Sequence, residues 1–349
     1  MNDAEEKQRE EAKKIEMYLK AERLAFEQAK KEPKLLILGS SDSGKSTLLK
    51  QVKIVLGKGF SENEVQTAKR TILSNIVNVT EMLISNESQK IGQEAFDKIS
   101  QWIDKLERPF DSLPSEFTEL ISVIWKNPDI QTKYLTMKGI PATTSHFFKH
   151  IHKLSGPDQF PSNDDILLLR TATNGISDNV FYYKNQSQKE CPLHFYDVSG
   201  LRRHRKQWIS FFQDIDFIIF IVAIDSYDLT MAEDPSINRM HDALILFDET
   251  INNPLLEKSN VILFFNKIDL FDVKVQTVPI QKFFPDYAGK VASRSEGLGF
   301  FKRKFLSKDK QKRKIQCQPT CCTDTNFMKA ITEGIFKMVT DRMLQDAGL

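Results

Sequence analysis

Three short apolar runs separate the mixed segments of this chain, and each has the length of a buried β-strand. They cover residues 35–38, 217–224 and 261–265. The longest, 217–224, is far too short to span a membrane and suits a central strand. A fourth strand is predicted at 194–198, and a good helix-forming stretch follows the first strand at 48–56. This alternation of strands and helices favours an α/β fold.

The segment between the first strand and the strand at 194–198 has a different pattern, with apolar residues at helical spacing and no long β-branched runs. We therefore expect an inserted all-helical domain over residues 61–163, between two parts of the sheet domain at 34–60 and 164–349. The apolar sets with this spacing are Ile72/Ile76/Val79/Leu83, Phe96/Ile99/Ile103/Leu106 and Phe117/Leu120/Ile121/Ile124.

Both ends of the chain have the composition of helices. Residues 5–31 contain strong helix formers with apolar residues on one side, so residues 1–33 are predicted to be an N-terminal helix. A coiled-coil tail is a weaker interpretation, because the segment is short in heptads and poor in leucines. A second amphipathic helix is predicted near the C-terminus, on the apolar residues Phe327, Ile331, Ile335, Met338, Val339 and Leu344.

Composition narrows the class of protein rather than its activity. The chain has 349 residues, enough for one large domain or two ordinary ones. Its hydrophobic share of 40% and its charged share of 28% are ordinary for a globular protein. A net charge of +2 is too small to indicate a nucleic-acid partner. Four cysteines make no disulfide framework and charge begins at Asp3, so we expect a reducing compartment and no secretory signal.

The first predicted strand runs directly into Gly39-x-x-x-x-Gly44-Lys45-Ser46, which is the P-loop pattern. In this pattern the glycines let backbone N–H groups turn toward phosphate oxygens, Lys45 reaches the β and γ phosphates, and the Ser46 hydroxyl ligates Mg²⁺. A serine-rich turn that matches by chance is the alternative, and the strand before it and the helix after it disfavour that alternative. The predicted contact residues are Gly39, Ser40, Ser41, Asp42, Ser43, Gly44, Lys45, Ser46 and Thr47.

Two further motifs lie at the ends of predicted strands. Asn266-Lys267-Ile268-Asp269 suits guanine, because a carboxylate can accept hydrogen bonds from both the ring N1–H and the exocyclic amine. Adenine offers no such pair of donors, so an ATPase is disfavoured. In Asp197-Val198-Ser199-Gly200 the aspartate can hold Mg²⁺ through water, and the glycine N–H can meet the γ-phosphate. The three motifs in this order predict a P-loop GTPase on a doubly wound sheet.

About 150 residues separate the P-loop from Asp197, far more than the roughly 30 residues that a βαβ unit needs. With these motifs and this spacing, the sequence resembles the α subunit of heterotrimeric G proteins over nearly its whole length. Segments 165–176, 197–208 and 232–241 are similar to that family's three switches, and 320–325 is similar to its guanine-contacting loop. The resemblance implies a GTP-dependent switch that binds GTP, GDP and Mg²⁺ and works between receptors and effectors.

The resemblance also implies roles for individual residues. Arg170 would act as an arginine finger in cis, Thr173 would join Ser46 as a Mg²⁺ ligand, and Cys322 would contact guanine through its backbone. The first switch would contact the nucleotide through Leu167, Leu168, Leu169, Arg170, Thr171, Ala172 and Thr173.

Partners and location are implied in the same way. The N-terminal helix would lie on a βγ dimer, with Lys206 and Trp208 completing the contact, while the C-terminal helix would face a G-protein-coupled receptor and the switches an effector. No nucleic-acid partner is expected. Asn2 and the lack of a cysteine before Cys191 predict no N-terminal myristoyl or palmitoyl group on the sequence as given. We expect a cytoplasmic location, with the βγ dimer as a route to the inner face of the plasma membrane.

The chain departs from the family at the hydrolytic centre. Leu201 stands where the family has the glutamine that orients the attacking water, and it has no donor or acceptor. Ser41 stands where the family has glycine, and Asp42 replaces the glutamate that pairs with the finger arginine. We therefore expect GTP binding with impaired hydrolysis. The alternatives are that another side chain orients the water, or that the protein is a GTP-locked pseudo-GTPase scaffold outside a receptor–βγ cycle. Thr143, at the position of a family aspartate that clasps the nucleotide, predicts faster exchange.

Three other features carry weaker predictions. His146 and His150 have the i, i+4 spacing of a helical metal pair, but no third ligand is evident, so a polar helix face is the preferred interpretation. The cysteines near 317–322 are interpreted as buried thiols near the base rather than zinc ligands. The basic run at 302–314 is a candidate localisation or phospholipid-binding patch, although such runs are usually solvated surface.

Overall fold

The computed structural model describes residues 32–57, 59–85, 93–106, 108–137, 140, 143–170, 175–184, 190–231 and 233–346. The helix predicted at 5–31 lies outside these residues, and so do Thr171, Ala172 and Thr173 of the first switch. The short stretch that remains of the predicted N-terminal helix, Glu32 and Pro33, is not helical.

A six-stranded sheet organises the described residues, with strands in the order β2-β3-β1-β4-β5-β6. Only β2 runs antiparallel to its neighbour; the other strands of the sheet are parallel. The central position of β1 is fixed by its pairing with both β3 and β4, in which Leu36 lies opposite Tyr196 and Ile218. The strands are β1 (Lys34–Leu38), β2 (Ile176–Lys184), β3 (Glu190–Val198), β4 (Phe217–Ala223), β5 (Asn260–Asn266) and β6 (Gln316–Pro319).

Helices cover both faces of the sheet, and the regular elements among the described residues between β1 and β2 are all helices. Short 3₁₀ helices add to them, the longest at Arg202–Phe211. The α-helices are α1 (Lys45–Val55), α2 (Glu62–Ile84), α3 (Gln93–Lys105), α4 (Ser115–Trp125), α5 (Pro128–Thr136), α6 (Thr144–Lys149), α7 (Asn163–Leu168), α8 (Arg239–Ile251), α9 (Ile268–Lys274), α10 (Arg294–Leu306) and α11 (Thr325–Asp346).

Local sequence explains where the long helices begin. The Ser61 side chain accepts a hydrogen bond from the Glu64 backbone N–H and the Glu64 side chain returns to Ser61, which is a capping box at the start of α2. Ser162 and Asp165 repeat this arrangement at α7. Such caps satisfy backbone N–H groups that have no partner within the helix. They therefore mark the starts of α2 and α7, the first and the last of the helices between α1 and β2.

The apolar residues form three clusters rather than one. One cluster lies on each face of the sheet: the first includes Leu36, Phe220 and Phe265, and the second includes Leu35 and Ile219. The third belongs to the helices between β1 and β2 and is built from residues of α2 to α7 and the turns between them. Because strand side chains alternate between faces, the nearly continuous apolar runs of β1, β4 and β5 supply both sheet clusters.

The structure confirms the predicted strands and those predicted helices that fall within the described residues, and it corrects some details. The run at 217–224 ends as a strand at Ala223, and the strand predicted at 194–198 begins at Glu190. In α11, Phe327 is 42% exposed, and the neighbouring Met328 takes the core position instead. In the described part of the chain, no helix is long and apolar enough to cross a membrane.

Candidate functional site

The carboxyl ends of β1, β3 and β5 meet at one edge of the sheet, where the three sequence motifs come together. In open α/β sheets this edge is where ligands bind. A cavity of 190 Å³ opens there, lined by the loop at 41–47, Lys50, residues 169–170 and residues 199–201. The loop after β1 and the loop after β3 thus form two walls of a single pocket.

Two glycines make the path of the first loop possible. Gly39 has φ +149° and Gly44 has φ +106°, which residues with a Cβ rarely adopt. A Cβ on Gly44 would lie 2.1 Å from the Asn266 Nδ2, and one on Gly39 would lie 2.3 Å from the Ile221 carbonyl oxygen. Both positions therefore require glycine for backbone conformation and for space, as the motif predicts.

Lys45 is the first residue of α1, and its almost fully buried side chain reaches back to this loop. Its Nζ donates to the carbonyl oxygens of Gly39 at 3.0 Å and Ser40 at 2.9 Å. Burial lowers the pKa of Lys45 to about 8, although the nearby charge of Asp197 opposes that shift. An ammonium held in this way lies where a phosphate would find both a cation and backbone N–H donors.

Oxygen donors that suit a hard cation lie beside Lys45. Ser46 lines the cavity at the first turn of α1, and the Asp197 carboxylate at the end of β3 is only 2% exposed. Hydroxyl and carboxylate oxygens are the ligands that Mg²⁺ accepts, directly or through water. The Ser43 Oγ is buried and has no hydrogen-bond partner among the described residues, so this loop also carries an unsatisfied polar atom. The residues present therefore fit a magnesium ion bound together with phosphate.

Asp42 joins three cations at the rim of the cavity. Its carboxylate lies 3.7 Å from the Arg170 Nε, 3.4 Å from the Arg239 Nη1 and 3.6 Å from the Lys267 Nζ. Burial raises the pKa of Asp42, but the charges of Lys267, Arg170 and Arg239 outweigh it and hold the pKa below its usual value. The carboxylate is consequently ionised. It ties the loop after β1 (residues 39–46, the phosphate loop) to three other segments.

Asn266 connects the phosphate loop to the loop after β6. Its Nδ2 donates to the Ser43 carbonyl at 2.8 Å, while its Oδ1 accepts from the Cys322 backbone N–H at 3.0 Å and from the Thr320 Oγ1 at 3.2 Å. Asp269 lies exposed in the first turn of α9, beside this loop. The Asn-Lys-x-Asp motif and the 320–325 loop are therefore brought together, as a purine-binding arrangement requires.

The segment after β3 is anchored through Ser199. The Ser199 backbone N–H donates to the Gly175 carbonyl at 2.9 Å, and its carbonyl accepts from the Trp208 Nε1 at 3.2 Å. The Ser199 Oγ lies 2.9 Å from the His204 Nδ1. Gly200 has no room for a side chain, because a Cβ there would lie 2.5 Å from the Lys45 Nζ. Leu201, which follows it, lines the cavity with an apolar side chain.

The remaining predicted site residues lie in different surroundings. Leu169 and Arg170 line the cavity, whereas Leu167 is buried in α7 and Leu168 packs against the helical cluster. The Val198 side chain faces the sheet core, so only its backbone borders the site. The His146 and His150 rings lie 4.3 Å apart between centroids at a tilt of 38°, and the His146 Nε2 lies 2.7 Å from the Asp165 Oδ1. No group of three metal-ligating side chains is found within the described ranges.

Sequence reasoning missed several residues that build the site. Gln51 donates to the Cys322 carbonyl at 2.9 Å and to the Thr325 Oγ1 at 3.2 Å, and Arg205 forms a buried ion pair with Asp242. Lys50, one turn beyond Ser46, also lines the cavity. Their partners lie far away in sequence, so no local motif marks them. The only available signal was that Lys50 follows Ser46 by four residues and so shares its helix face.

Comparisons with known proteins agree with the geometry. A family model described as G-protein alpha subunit matches residues 9–339. The chain is similar to the guanine nucleotide-binding protein alpha-9 subunit of Dictyostelium discoideum, with 30% identity over 93% of this chain and 95% of that protein. A guanine nucleotide-binding protein subunit alpha of Cochliobolus heterostrophus is 32% identical, over 99% of this chain and 97% of its own. A guanine nucleotide-binding protein subunit alpha of Cryptococcus neoformans is 32% identical, over 92% of this chain and 74% of that protein.

Proposed function

We propose, from the premise that this chain belongs to the G-protein alpha-subunit family, that it is a guanine nucleotide switch in which GTP hydrolysis is slow. The family binds GTP and GDP, and its members are GTPases. The observation that carries the second part of the proposal is the wall of the phosphate cavity, where Leu201 and Ser41 both lie. The glycine-dependent loop path and the buried Lys45 are both present beside these two residues, so we expect nucleotide binding to be retained.

Phosphate and magnesium binding would rest on the loop after β1. Lys45 and the N–H groups at the start of α1 would hold the phosphates, while Ser46 and Thr173 would be the protein ligands of Mg²⁺ and Asp197 would hold it through water. When bound, Mg²⁺ neutralises charge on the phosphates and orients them. The buried Asp197 carboxylate and the position of Ser46 in the cavity lining support this assignment.

Guanine specificity would come from the loops after β5 and β6. Asp269 would accept from the base N1–H and its amine, and the Cys322 backbone would contact the base from the other side. Asn266, at the end of β5, joins the loop after β6 to the phosphate loop, because its side chain bonds to the Cys322 N–H and to the Ser43 carbonyl. Lys267 has φ +62°, so the backbone reverses between the strand end and α9 and leaves Asp269 in the first helical turn.

Arg170 would stabilise charge on the transferred phosphate, as an arginine finger supplied by the chain itself. Its guanidinium is held near the phosphate loop by Asp42, at 3.7 Å. Charge stabilisation alone does not orient a water molecule, which needs a donor or acceptor beside the γ-phosphate. Leu201 offers neither, and the Ser41 side chain adds bulk to the same cavity. Loss of one preorganised catalytic group typically costs about 10²–10³ in rate.

Single-turnover hydrolysis of GTP with Mg²⁺ tests this proposal. We expect slow turnover for the wild type and an increase of about 10²–10³-fold for Leu201→Gln, with a larger gain when Ser41→Gly is added. Leu201→Met is the matched control, because it changes the side chain without supplying the amide, and it should stay slow. Affinity for a fluorescent GDP analogue, measured for each variant, separates altered chemistry from altered binding.

The proposal is contradicted if the wild type hydrolyses GTP fast and none of these substitutions changes the rate. In that case His204, which bonds to Ser199 beside the cavity, is the first candidate to orient the water, and His204→Ala identifies it by loss of turnover. The nucleotide retained after purification separates two forms of the switch. GDP indicates a protein that cycles, and GTP indicates a locked scaffold outside a receptor–βγ cycle.

Domain organisation and partners complete the proposal. Residues 61–163 would be an inserted helical domain, and 1–33, 34–60 and 164–349 an N-terminal helix and two parts of the GTPase domain. A βγ dimer would bind the N-terminal helix and second switch, effectors the switches, and a receptor α11. Support comes from the family and from the separate apolar cluster of the helices. Capture of a βγ dimer by the GDP-loaded chain, and its release on loading with a GTP analogue, tests the first contact.

A further inference from the structure

Lys50 makes a long-range contact that none of the motifs explains. It lies on α1, four residues after Ser46, and its Nζ donates to the carbonyl oxygens of Ile166 at 3.0 Å and Leu169 at 2.7 Å. Those carbonyls belong to the end of α7 and the residue that follows it. The last carbonyls of a helix lack partners within the helix, and a lysine side chain can satisfy them. One ammonium therefore joins α1 to the carboxyl end of α7.

The surroundings of Lys50 indicate a specific function for this contact. The side chain borders a cavity of 660 Å³ that also contains Lys53, Glu64 and Asp178. Burial lowers the pKa of Lys50 to about 8, and no carboxylate in the described part of the chain forms an ion pair with it. A partly buried cation without a counter-ion carries a desolvation penalty that only its two carbonyl bonds offset. Lys53 differs, because it has a counter-ion, Glu64 at the start of α2.

The residue after Leu169 is Arg170, which lies over the phosphate loop beside Asp42. Residues 169–170 form the wall of the 190 Å³ cavity opposite the phosphate loop. The phosphate loop directly follows β1 in the centre of the sheet, whereas residues 169–170 follow α7 outside the sheet. The bond from Lys50 to the Leu169 carbonyl fixes this wall against α1.

We infer that Lys50 is a positioning residue, which holds the peptide before Arg170 against the phosphate-binding helix and thereby slows nucleotide release. The inference rests on the proposed nucleotide binding and adds a residue that the motifs do not contain. Lys50 lines the phosphate cavity, but both hydrogen bonds of its Nζ go to backbone carbonyls, so it acts through Leu169 and Arg170.

Dissociation of a fluorescent GDP analogue, chased with excess GDP in the presence of Mg²⁺, measures the effect. We expect Lys50→Met to accelerate release by about 10–150-fold, the range for loss of a hydrogen bond to a charged group. Lys50→Arg keeps donors in place and should restore release to within about threefold of the wild type. Lys53→Met is the matched control on the same helix and should remain within about threefold, because exposed ion pairs contribute little.

Hydrogen exchange in the peptide 163–170 supplies a readout that does not depend on nucleotide. Lys50→Met should raise exchange there, and Lys53→Met should not. Unchanged exchange in Lys50→Met overturns the inference whether or not the protein binds nucleotide. Raised exchange with unchanged GDP release overturns the link to nucleotide retention. Raised exchange in a protein that binds no guanine nucleotide contradicts the proposed function alone. If Lys50→Met fails to fold, Lys50→Gln is compared with Lys50→Arg in the same two measurements.

Coupling with Arg170 separates positioning from a general loss of stability. Release of a non-hydrolysable GTP analogue is measured for Lys50→Met, Arg170→Met and the double variant. If Lys50 acts through Arg170, the double variant should release the analogue little faster than the faster single variant. Fully multiplicative effects would show that Lys50 acts independently of Arg170, and would overturn the positioning role.

Discussion

At the residue scale, the Asp42 carboxylate lies within 4 Å of cations from three segments that are far apart in sequence, Arg170, Arg239 and Lys267. Its backbone adopts φ +64°, which is uncommon for a residue other than glycine and most tolerated by aspartate and asparagine. Because aspartate is short, the carboxylate stays close to its own loop and draws the longer cationic side chains toward it. The three ion pairs therefore stiffen the phosphate loop, whose backbone path its glycines make possible.

Cys322 allows a prediction about thiol chemistry beside the base loop. Its side chain is buried, and burial raises the pKa of the thiol to about 12. The thiolate is the reactive species, so at pH 8 Cys322 should be alkylated far more slowly than the partly exposed Cys321. Iodoacetamide labelling at pH 8, read by peptide mass spectrometry, measures the two rates.

Labelling in denaturant is the control for this comparison, since all four cysteines should then react. Equal labelling of Cys322 and Cys321 in the native protein would contradict the buried position of Cys322. Raising the pH toward the pKa of Cys322 should increase its labelling in proportion to the thiolate that forms. This expectation holds for the native fold, in which the Cys322 backbone N–H donates to Asn266.

Residues with a chemical role in a local pattern could be predicted from the sequence, and residues with remote partners could not. Gly39, Gly44 and Lys45 are required by the backbone path of one loop, so their spacing alone identifies them. Lys50 and Gln51 contact residues more than a hundred positions away, and only the fold brings these partners together. The role of such residues depends on tertiary structure, which the spacing of motifs does not contain.

At the scale of elements, apolar runs predicted the strands that are buried on both sides and failed at the edge of the sheet. Strand β2 was not predicted, because it is an edge strand that mixes polar residues with the exposed Val180 and Tyr182. Its partner β3 is longer than predicted for the same reason, since its first residues pair only with β2. An edge strand is defined by its neighbour more than by its own composition.

The capping box of α2 supports a prediction on helix stability. Ser61→Ala removes the side-chain acceptor for the Glu64 N–H, and such a loss typically destabilises a protein by about 1 kcal/mol. We expect the free energy of unfolding in urea, monitored by far-UV circular dichroism, to fall by that amount. The midpoint urea concentration should fall with it.

Ser85→Ala is the matched control at the other end of α2. Its hydroxyl donates to the Glu81 carbonyl at 2.8 Å and does not cap N–H groups. It should change the free energy of unfolding by less than Ser61→Ala does. An equal loss in both variants would show that the box at Ser61 contributes nothing beyond an ordinary side-chain hydrogen bond.

At the scale of the whole molecule, the helical cluster and the two sheet clusters have separate apolar cores. Phe117 is buried in the core of the helical cluster (the first core), and Phe220 in one of the two sheet clusters (the second core). Both side chains are fully inaccessible to solvent. A ligand at the edge of the sheet stabilises the part of the molecule that binds it, by about 2.7 kcal/mol at a hundred times its dissociation constant. The two parts should therefore respond differently to nucleotide.

Phe117→Ala and Phe220→Ala form a matched pair that tests this separation. Each should lower the free energy of unfolding by about 3–5 kcal/mol, as expected for a large cavity in a core. We expect Phe117→Ala to leave GDP affinity within about threefold of the wild type, because its cavity lies in the other core. Thermal unfolding with and without GDP and Mg²⁺ measures both quantities.

If Phe117→Ala weakened GDP binding as strongly as Phe220→Ala, the two cores would be energetically coupled. A nucleotide-dependent shift that persists in Phe117→Ala and falls in Phe220→Ala would agree with separate cores. The sequence predicted the helices of the first core well, but the separation of the cores depends on contacts between elements.

The cavity beside Lys50 bears on how the helices between β1 and β2 could have been inserted during evolution. Leu56 and Phe60, where the chain leaves α1 for the helices, line the same cavity as Ile166 and Leu169, where it returns. The two connections are neighbours in space, so a short loop could join them and leave the order of the sheet strands unchanged. Closing a shorter loop costs less entropy, and the dependence on length is slow. An ancestral chain could thus have gained the intervening helices as one insertion at this point.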